Sequence, residues 1–465
     1  MIEPQRRPQT LAAMLAAASV LALCFVAVPA GVLLWRRAFE TLPSDGLRTL
    51  RLVHEQILNE HVEPQDADAL LDDAIRGMVG ELDRFSEFVP ADDVEDFEAR
   101  ELDGTYVGVG VLLFPDMSPA TVQSPLAGGS AAELGVLPGD RLIRIADEDV
   151  AQLAAGEATE TAVRLLRGVA GTGVTVHVER LSDDGSTEEL SFELERRAVP
   201  QSRVKWAHLA DADQRFGYIH ISGFQRGMVD DFDARLAELE SEGPLAGLCL
   251  DLRHNPGGLL TEAVALANRF VAEGELVTLK RRRGEVLERH EAVAATCTHP
   301  DLPLVVLVNE DTASASEVVT GALQDLGRAT VVGTRSYGKG VVQSIYSWSG
   351  LPFRLKLTTA RYYTPSGRSL ERSLRHPDDG EDQGGIIPDE TVPLDADAAR
   401  RLAARLAAHE VRPPYRDRAA RVAAALDRPL ASPPDPREDT QLAAALEALE
   451  RRIPAEAAGE SGERR

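Results

Sequence analysis

The chain has 465 residues, and its 75 acidic against 50 basic side chains give a formal net charge of −25. That length allows roughly two to four domains with a substantial core, and the acidic excess argues against a nucleic-acid partner or docking on anionic lipid. Cys24, Cys249 and Cys297 are too few for a disulfide framework, and with no C-x-x-C or H-E-x-x-H spacing no metal or cofactor is called for.

Residues 11–35 carry no charge and are bracketed by Arg6-Arg7 and Arg36-Arg37. The run is long enough to span a bilayer with some tilt. A cleavable signal peptide is the rival, with Val28-Pro29-Ala30 as its cleavage site. Because the apolar run continues through GVLLW, an uncleaved anchor (residues 1–40) is favoured. Arg6 and Arg7 before the run, against Arg36, Arg37, Arg48 and Arg51 after it, do not favour export of the C-terminal bulk, although long domains cross regardless of charge.

Residues 45–100 follow a helical period, as in Leu47, Leu50, Val53 and Ile57. From Gly104 the chain turns glycine-rich, GTYVGVGVLL, then reads SAAELGVLPGDRLIRI and VRLLRG. Taken alone, the first of these is a Gly-rich strand bend. From Phe216 the pattern becomes strand–helix–strand: FGYIHISGF, a helix over 228–241, LAGLCLDLR with Cys249 in its core, and a helix over 259–271.

An apolar run, 302–308, then leads into Thr312-Ala313-Ser314-Ala315-Ser316 and a helical pattern over 318–326. Ser314-Ala315-Ser316-Glu317 fits the S-x-x-E capping box, in which the serine only satisfies a backbone N–H. A serine at a strand-to-helix corner is also where a nucleophile sits, and the local pattern leaves both readings open. Gly333 to Lys339 has phosphate-loop spacing, yet Gly340 stands where Ser or Thr should hold magnesium, and a strand pattern follows instead of a helix. His220 and His254 suggest a serine–histidine pair. However, no G-x-S-x-G elbow exists, and a histidine beside Arg253 reads as a polar turn residue.

The motifs DLRHNPGGLL (251–260), TASASEVV (312–319), GKGVVQ (338–343) and TTARYYTPSGRSL (358–370) together closely resemble the carboxyl-terminal processing peptidases, serine proteases with a Ser–Lys dyad. The resemblance covers roughly residues 45–395 and implies Ser314 as nucleophile, Lys339 as base and Gln343 as its orienting amide. It also implies an α/β fold: a βαβ protease core (200–395) of crotonase- and ClpP-like architecture, an inserted PDZ domain (101–190), and a helical N-terminal region. Gly104, Tyr106, Val107, Gly108 and Val109 would receive a substrate's C-terminus, and Arg167 would couple that binding to the active site. The family's Pro-His after Leu82-Asp83 is here Arg84-Phe85, a departure expected to touch only a structural turn.

A lysine takes a proton from serine only when neutral, and its ordinary pKa is about 10.4. Burial without a carboxylate partner lowers that value. Tyr337, Gly338, Gly340, Val341 and Val342 carry no acid, and on a strand Gln343 would share a face with Lys339. The Ala315 N–H at the helix start is the natural first oxyanion donor, with Gly258 the second by resemblance.

Beyond Asp395 the tail (396–465) is rich in Ala, Arg, Glu and Pro. Its stripe Leu442, Leu446, Leu449, Ile453 suggests a packing or dimerisation helix, and the last dozen residues look disordered. The expectation is therefore a membrane-anchored serine endopeptidase, its catalytic domain outside the cytoplasm, cutting near apolar, unstructured substrate C-termini. A homodimer or an adaptor protein is left open. The alternative from another class is a non-catalytic PDZ scaffold that binds protein tails.

Overall fold

The computed structural model describes residues 44–98, 105–181, 186–200, 202–372, 384–408, 410–411, 414–428 and 430–453. The chain falls into two compact units, 1–84 and 85–465. In the first, helix α1 (Ser44–Glu60) is joined to helix α2 (Ala67–Gly80) by a short loop. Asp66 caps α2, its carboxylate accepting the N–H groups of Asp68 and Ala69 at 2.9 Å. The apolar run 11–35, its anchor reading and Cys24 lie outside the described residues. Among those described, no helix is long and apolar enough to cross a membrane.

The second unit opens with β1 (Glu87–Val89) and α3 (Val94–Glu98). A small β-rich region follows: β2 (Thr105–Gly108), β3 (Val111–Leu113), β4 (Val122–Pro125), α4 (Ser130–Glu133), β5 (Arg141–Ile145), β6 (Glu148–Asp149), α5 (Ala155–Leu166), β7 (Gly173–Leu181), β8 (Thr187–Glu195) and β9 (Arg197–Pro200). Strands β6-β5-β7-β8 form one sheet, while β2 pairs with β9 and β3 with β4. Val174, Val176 and Val178 alternate inward from β7 onto Ala158, Ala162 and Leu166 of α5, giving the region its own core.

The remaining elements are β10 (Val204–Asp211), β11 (Phe216–Ile221), α6 (Met228–Glu240), β12 (Gly247–Asp251), α7 (Leu260–Asn268), β13 (Glu275–Lys280), β14 (Val286–Glu291), β15 (Leu304–Val308), α8 (Ala315–Asp325), β16 (Thr330–Gly333), β17 (Val341–Trp348), β18 (Leu351–Tyr363), β19 (Glu390–Thr391), α9 (Ala396–Ala407), α10 (Arg416–Ala425) and α11 (Thr440–Arg452). They build a six-stranded sheet in the order β10-β11-β12-β15-β16-β19, parallel from β11 onward.

Period-two alternation shares this sheet's side chains between two layers. Ile219, Ile221, Leu248, Leu250, Leu304 and Val306 face α6, α7 and α8. Phe216, Tyr218, Cys249, Val305 and Leu307 face α9 and α11. Strands covered on both sides must be apolar throughout, which is why LVVLV and GLCLD read as unbroken runs. The stripe expected of the C-terminal helix is spent on this second layer. Leu442 and Leu449, with Ala445 and Ala448, are buried against β12, β15 and β16, so α11 packs within its own chain. A second sheet, β1-β18-β13-β14 with β17 also on β18, carries the lysine loop.

Candidate active site

The site forms where β12 and β15 end, at the carboxyl edge of the parallel strands, the usual ligand edge of an open α/β sheet. Beyond β15, Thr312 holds the corner: its hydroxyl donates to the Leu252 carbonyl at 2.9 Å and accepts the Asn309 N–H at 2.9 Å. Ser314 then turns the chain into α8 with φ 56° and ψ −118°. Such a backbone costs about 1–3 kcal/mol in a residue other than glycine and persists only where the surroundings enforce it. The strand-to-helix turn at Ser314 has the strained backbone geometry of a nucleophile elbow, without the G-x-S-x-G sequence.

The surroundings that enforce it can be named. Glu317 closes the capping box on Ser314, its Oε2 accepting the Ser314 N–H at 2.8 Å. The same oxygen accepts the Lys339 N–H at 2.8 Å. Oε1 accepts the Gly338 N–H at 2.7 Å and the Ser336 hydroxyl at 2.5 Å. One buried carboxylate thus ties the serine corner to the lysine loop. Burial pushes its pKa up, and the four donors only partly offset that.

Opposite Ser314 lies the turn after β12. Asn255 organises it: Nδ2 donates to Ile221 O, Oδ1 accepts the Gly257 N–H, and its carbonyl takes the Ala313 N–H and the Ser316 hydroxyl. Gly258 has φ 141°, and a Cβ there would stand 2.2 Å from the Phe224 carbonyl oxygen, so only glycine fits. The Phe224 N–H goes to Gly257 O and the Leu259 N–H to Phe224 O. Among the described residues this leaves the N–H groups of Gly258 and Ala315 without an acceptor, in two segments that touch: a Cβ on Gly257 would lie 2.9 Å from Ala315 N.

Lys339 precedes β17 and sits in an irregular loop, and a bulge separates Val342 from Gln343. The alternation argument for a shared face therefore does not apply. Gln343 lies on β17 with its amide nitrogen 3.5 Å from Thr358 Oγ1. A Cβ at Gly340 would stand 2.0 Å from Glu371 N, so the expected close packing beside the lysine is present. The sequence neighbours of Lys339 carry no acid, but the fold brings two: Glu371 accepts the Gly340 N–H at 2.8 Å, as Glu317 does that of Lys339. The lysine amine lies 4.6 Å from the centre of the Phe85 ring. Arg84-Phe85 is thus more than a turn, since its aromatic face contacts the amine.

Tyr362 was also missed by sequence reasoning. It is buried, which pushes its pKa up to about 12, while the nearby Ser314 side chain partly offsets that rise. Neither histidine serves the corner. His220 is wholly buried, with Nε2 3.3 Å from the Arg253 carbonyl. His254 Nδ1 contacts Asp311 at 2.8 Å.

In the β-rich region, Tyr106, Val107 and Gly108 lie on β2, with Val109 following; Gly104 lies outside the described residues. Arg167 comes to this strand through a bridge to Gly108, with its guanidinium 5.3 Å over the Tyr106 ring. Among the described residues no cluster of acidic, His and Cys side chains could hold a metal.

Residues 215–392 match the model of Peptidase family S41. A carboxy-terminal-processing protease of Bartonella bacilliformis is 34% identical over 322 residues, 69% of this chain and 71% of that protein. The chain belongs to peptidase family S41. It is one of the carboxy-terminal-processing serine proteases. A probable CtpA-like serine protease of Staphylococcus aureus (strain COL) is 31% identical over 349 residues, covering 75% of this S41 peptidase and 65% of the relative, just under two thirds of its length. Among solved structures, a photosystem II D1 C-terminal processing protease is similar at 29% identity, over 73% of this chain and 85% of the other. The two superpose with a TM-score of 0.42.

Proposed function

We propose that this S41 peptidase is a Ser–Lys endopeptidase acting near the C-terminal tails of protein substrates. The reading is carried by the Ser314 corner: a strained serine at the head of a helix, beside two N–H groups without acceptors, tied through Glu317 to the loop that bears Lys339. Neutral Lys339 takes the hydroxyl proton as Ser314 Oγ attacks the scissile carbonyl carbon. The negative charge that develops on the carbonyl oxygen is met by the N–H groups of Ala315 and Gly258. Collapse expels the amine, which receives the proton from Lys339, and water then hydrolyses the acyl-enzyme by the same route. Gln343 orients the lysine as a neutral amide.

On this reading the core has the crotonase- and ClpP-like architecture. The β-rich region is a PDZ domain that takes an apolar tail along Tyr106–Val109, with Arg167 coupling its occupancy to the core. Residues 11–35 anchor the chain, leaving the catalytic domain outside the cytoplasm. Ser314→Ala and Lys339→Ala should each lower kcat on an apolar-tailed protein by at least about 10³-fold with the fold intact. The wild-type rate should rise from neutral to mildly alkaline pH as the amine loses its proton. Near-normal turnover by Lys339→Ala would sink the dyad.

A further inference from the structure

We propose that a cationic groove beside the lysine loop binds an acidic stretch of the polypeptide substrate. The groove encloses about 560 Å³ between the β13–β14 hairpin and the β17–β18 ribbon. Its lining holds Lys280, Arg281, Arg282, Arg283 and Arg361, the aliphatic hydroxyls of Ser344, Thr358 and Thr359 with the two phenols of Tyr346 and Tyr363, and no acid.

Three independent features mark it as built for an anion. The register of β13 on β18 sets Lys280 directly opposite Arg361, a like-charge pair that a bare sheet disfavours. The hairpin tip adds three successive arginines, with Arg283 held at φ 67° in the left-handed region. Among the described residues, none of the five cationic heads has a carboxylate within ion-pair distance; Lys280 instead lies 4.2 Å from the centre of the Tyr363 ring. This is unusual in a chain with 75 acidic residues, where Arg253, Arg269, Arg354 and Arg368 all find partners.

Position selects the occupant. Val341, two residues after Lys339, lines the groove, and so does Thr358, which faces the Gln343 amide. The floor is therefore the ribbon that carries the lysine loop, along which a polypeptide held at Ser314 would continue. A molecule of net charge −25 repels acidic polypeptides over most of its surface, so a local cationic lane decides whether one can approach. Guanidinium forks pair with carboxylates in a bidentate manner. The direction of the substrate rests on Ser314 and Lys339 as the reacting pair, whereas the preference for acidic side chains does not.

The test uses the full-length chain and two peptides identical except for Glu or Gln flanking the scissile bond. At low salt the wild type should cleave the Glu peptide with a kcat/KM higher by on the order of tenfold, the difference lying in KM and shrinking as salt is added. The Arg281→Gln/Arg282→Gln/Arg283→Gln variant should cleave both peptides alike. Equal cleavage by the wild type, or a preference that survives in the variant, overturns the groove. So does an unchanged preference accompanied by loss of binding to phosphatidylserine vesicles, which would assign the arginines to a membrane surface. Residual turnover by Ser314→Ala with an arginine-dependent KM would instead sink the reacting pair and leave the groove standing.

Discussion

Glu317 and Asp251 are both wholly buried carboxylates of one core, and the fold treats them in opposite ways. Asp251, at the end of β12, meets a full positive charge: Arg253 Nη2 lies 2.6 Å from its Oδ2, with the Tyr218 hydroxyl on the same oxygen at 2.6 Å. Burial alone would raise its pKa, yet the Arg253 charge and hydrogen bonds carry it below the usual range. Glu317, at the head of α8, meets three backbone N–H groups and one hydroxyl, and there burial wins. An anchor can use fixed charges. If Lys339 is the base proposed above, a free carboxylate charge beside it would hold the amine protonated. Dipoles give Glu317 a grip on both segments while its lone pairs are spent on them.

The sharpest way to break the comparison is to unpair the anchor. Arg253 also forks onto Asp439 at the cap of α11, at 3.0 and 2.7 Å, so one side chain joins β12 to the C-terminal helix. Arg253→Met leaves two buried acids without a cation and should cost about 3–5 kcal/mol of stability, read as a large fall in Tm. A variant with wild-type Tm would show that the cluster carries no such load.

Acid should attack the same side of the molecule. Burial holds His220 and His208 down to about 4, and His220 Nδ1 has no hydrogen-bond partner. The unfolded chain takes up these protons below about pH 6.5, whereas the folded one waits until about 4. Stability is therefore complete above that window and falls as pH drops through it, by at most about 3 kcal/mol for each histidine. Urea titrations between pH 7 and 4 should show the loss, and His220→Gln should flatten it. Equal slopes in both proteins would remove His220 from the account.

What the sequence could reveal follows from the range over which each feature is written. The buried strands and the Ser314 corner are local patterns, since a doubly covered strand is apolar at every position and a corner needs small residues. The S-x-x-E box shows Glu317, but the strain at Ser314 is invisible in the letters, because Asn255 and the lysine loop hold the corner from other segments. Phe85, in the turn expected before β1, and Tyr362, on β18 within the TTARYYTPSGRSL motif, reach the site from other segments, and the contact of Phe85 with the amine adds a role to that turn. The stripe on α11 was legible as amphipathic. Only the fold could say that its partner is the sheet of the same chain, through an ion pair spanning 186 residues.

The finest probe of the comparison is Glu317→Gln, which keeps shape and removes charge. Oε1 and Oε2 each accept two donors, so an amide nitrogen on either side must face a backbone N–H that it cannot accept. The Ser336 hydroxyl can turn and accept, which favours placing the nitrogen on its side, but the Gly338 N–H then loses its partner. An unsatisfied buried donor costs about 1–3 kcal/mol, and the lysine loop can recover that only by moving away from Ser314. The expected result is a kcat lower by on the order of 10²-fold with KM little changed, because small misplacements of reacting groups are that costly. If Glu317→Gln instead kept wild-type kcat while losing Tm, the carboxylate would be an anchor like Asp251, and the contrast between the two would dissolve.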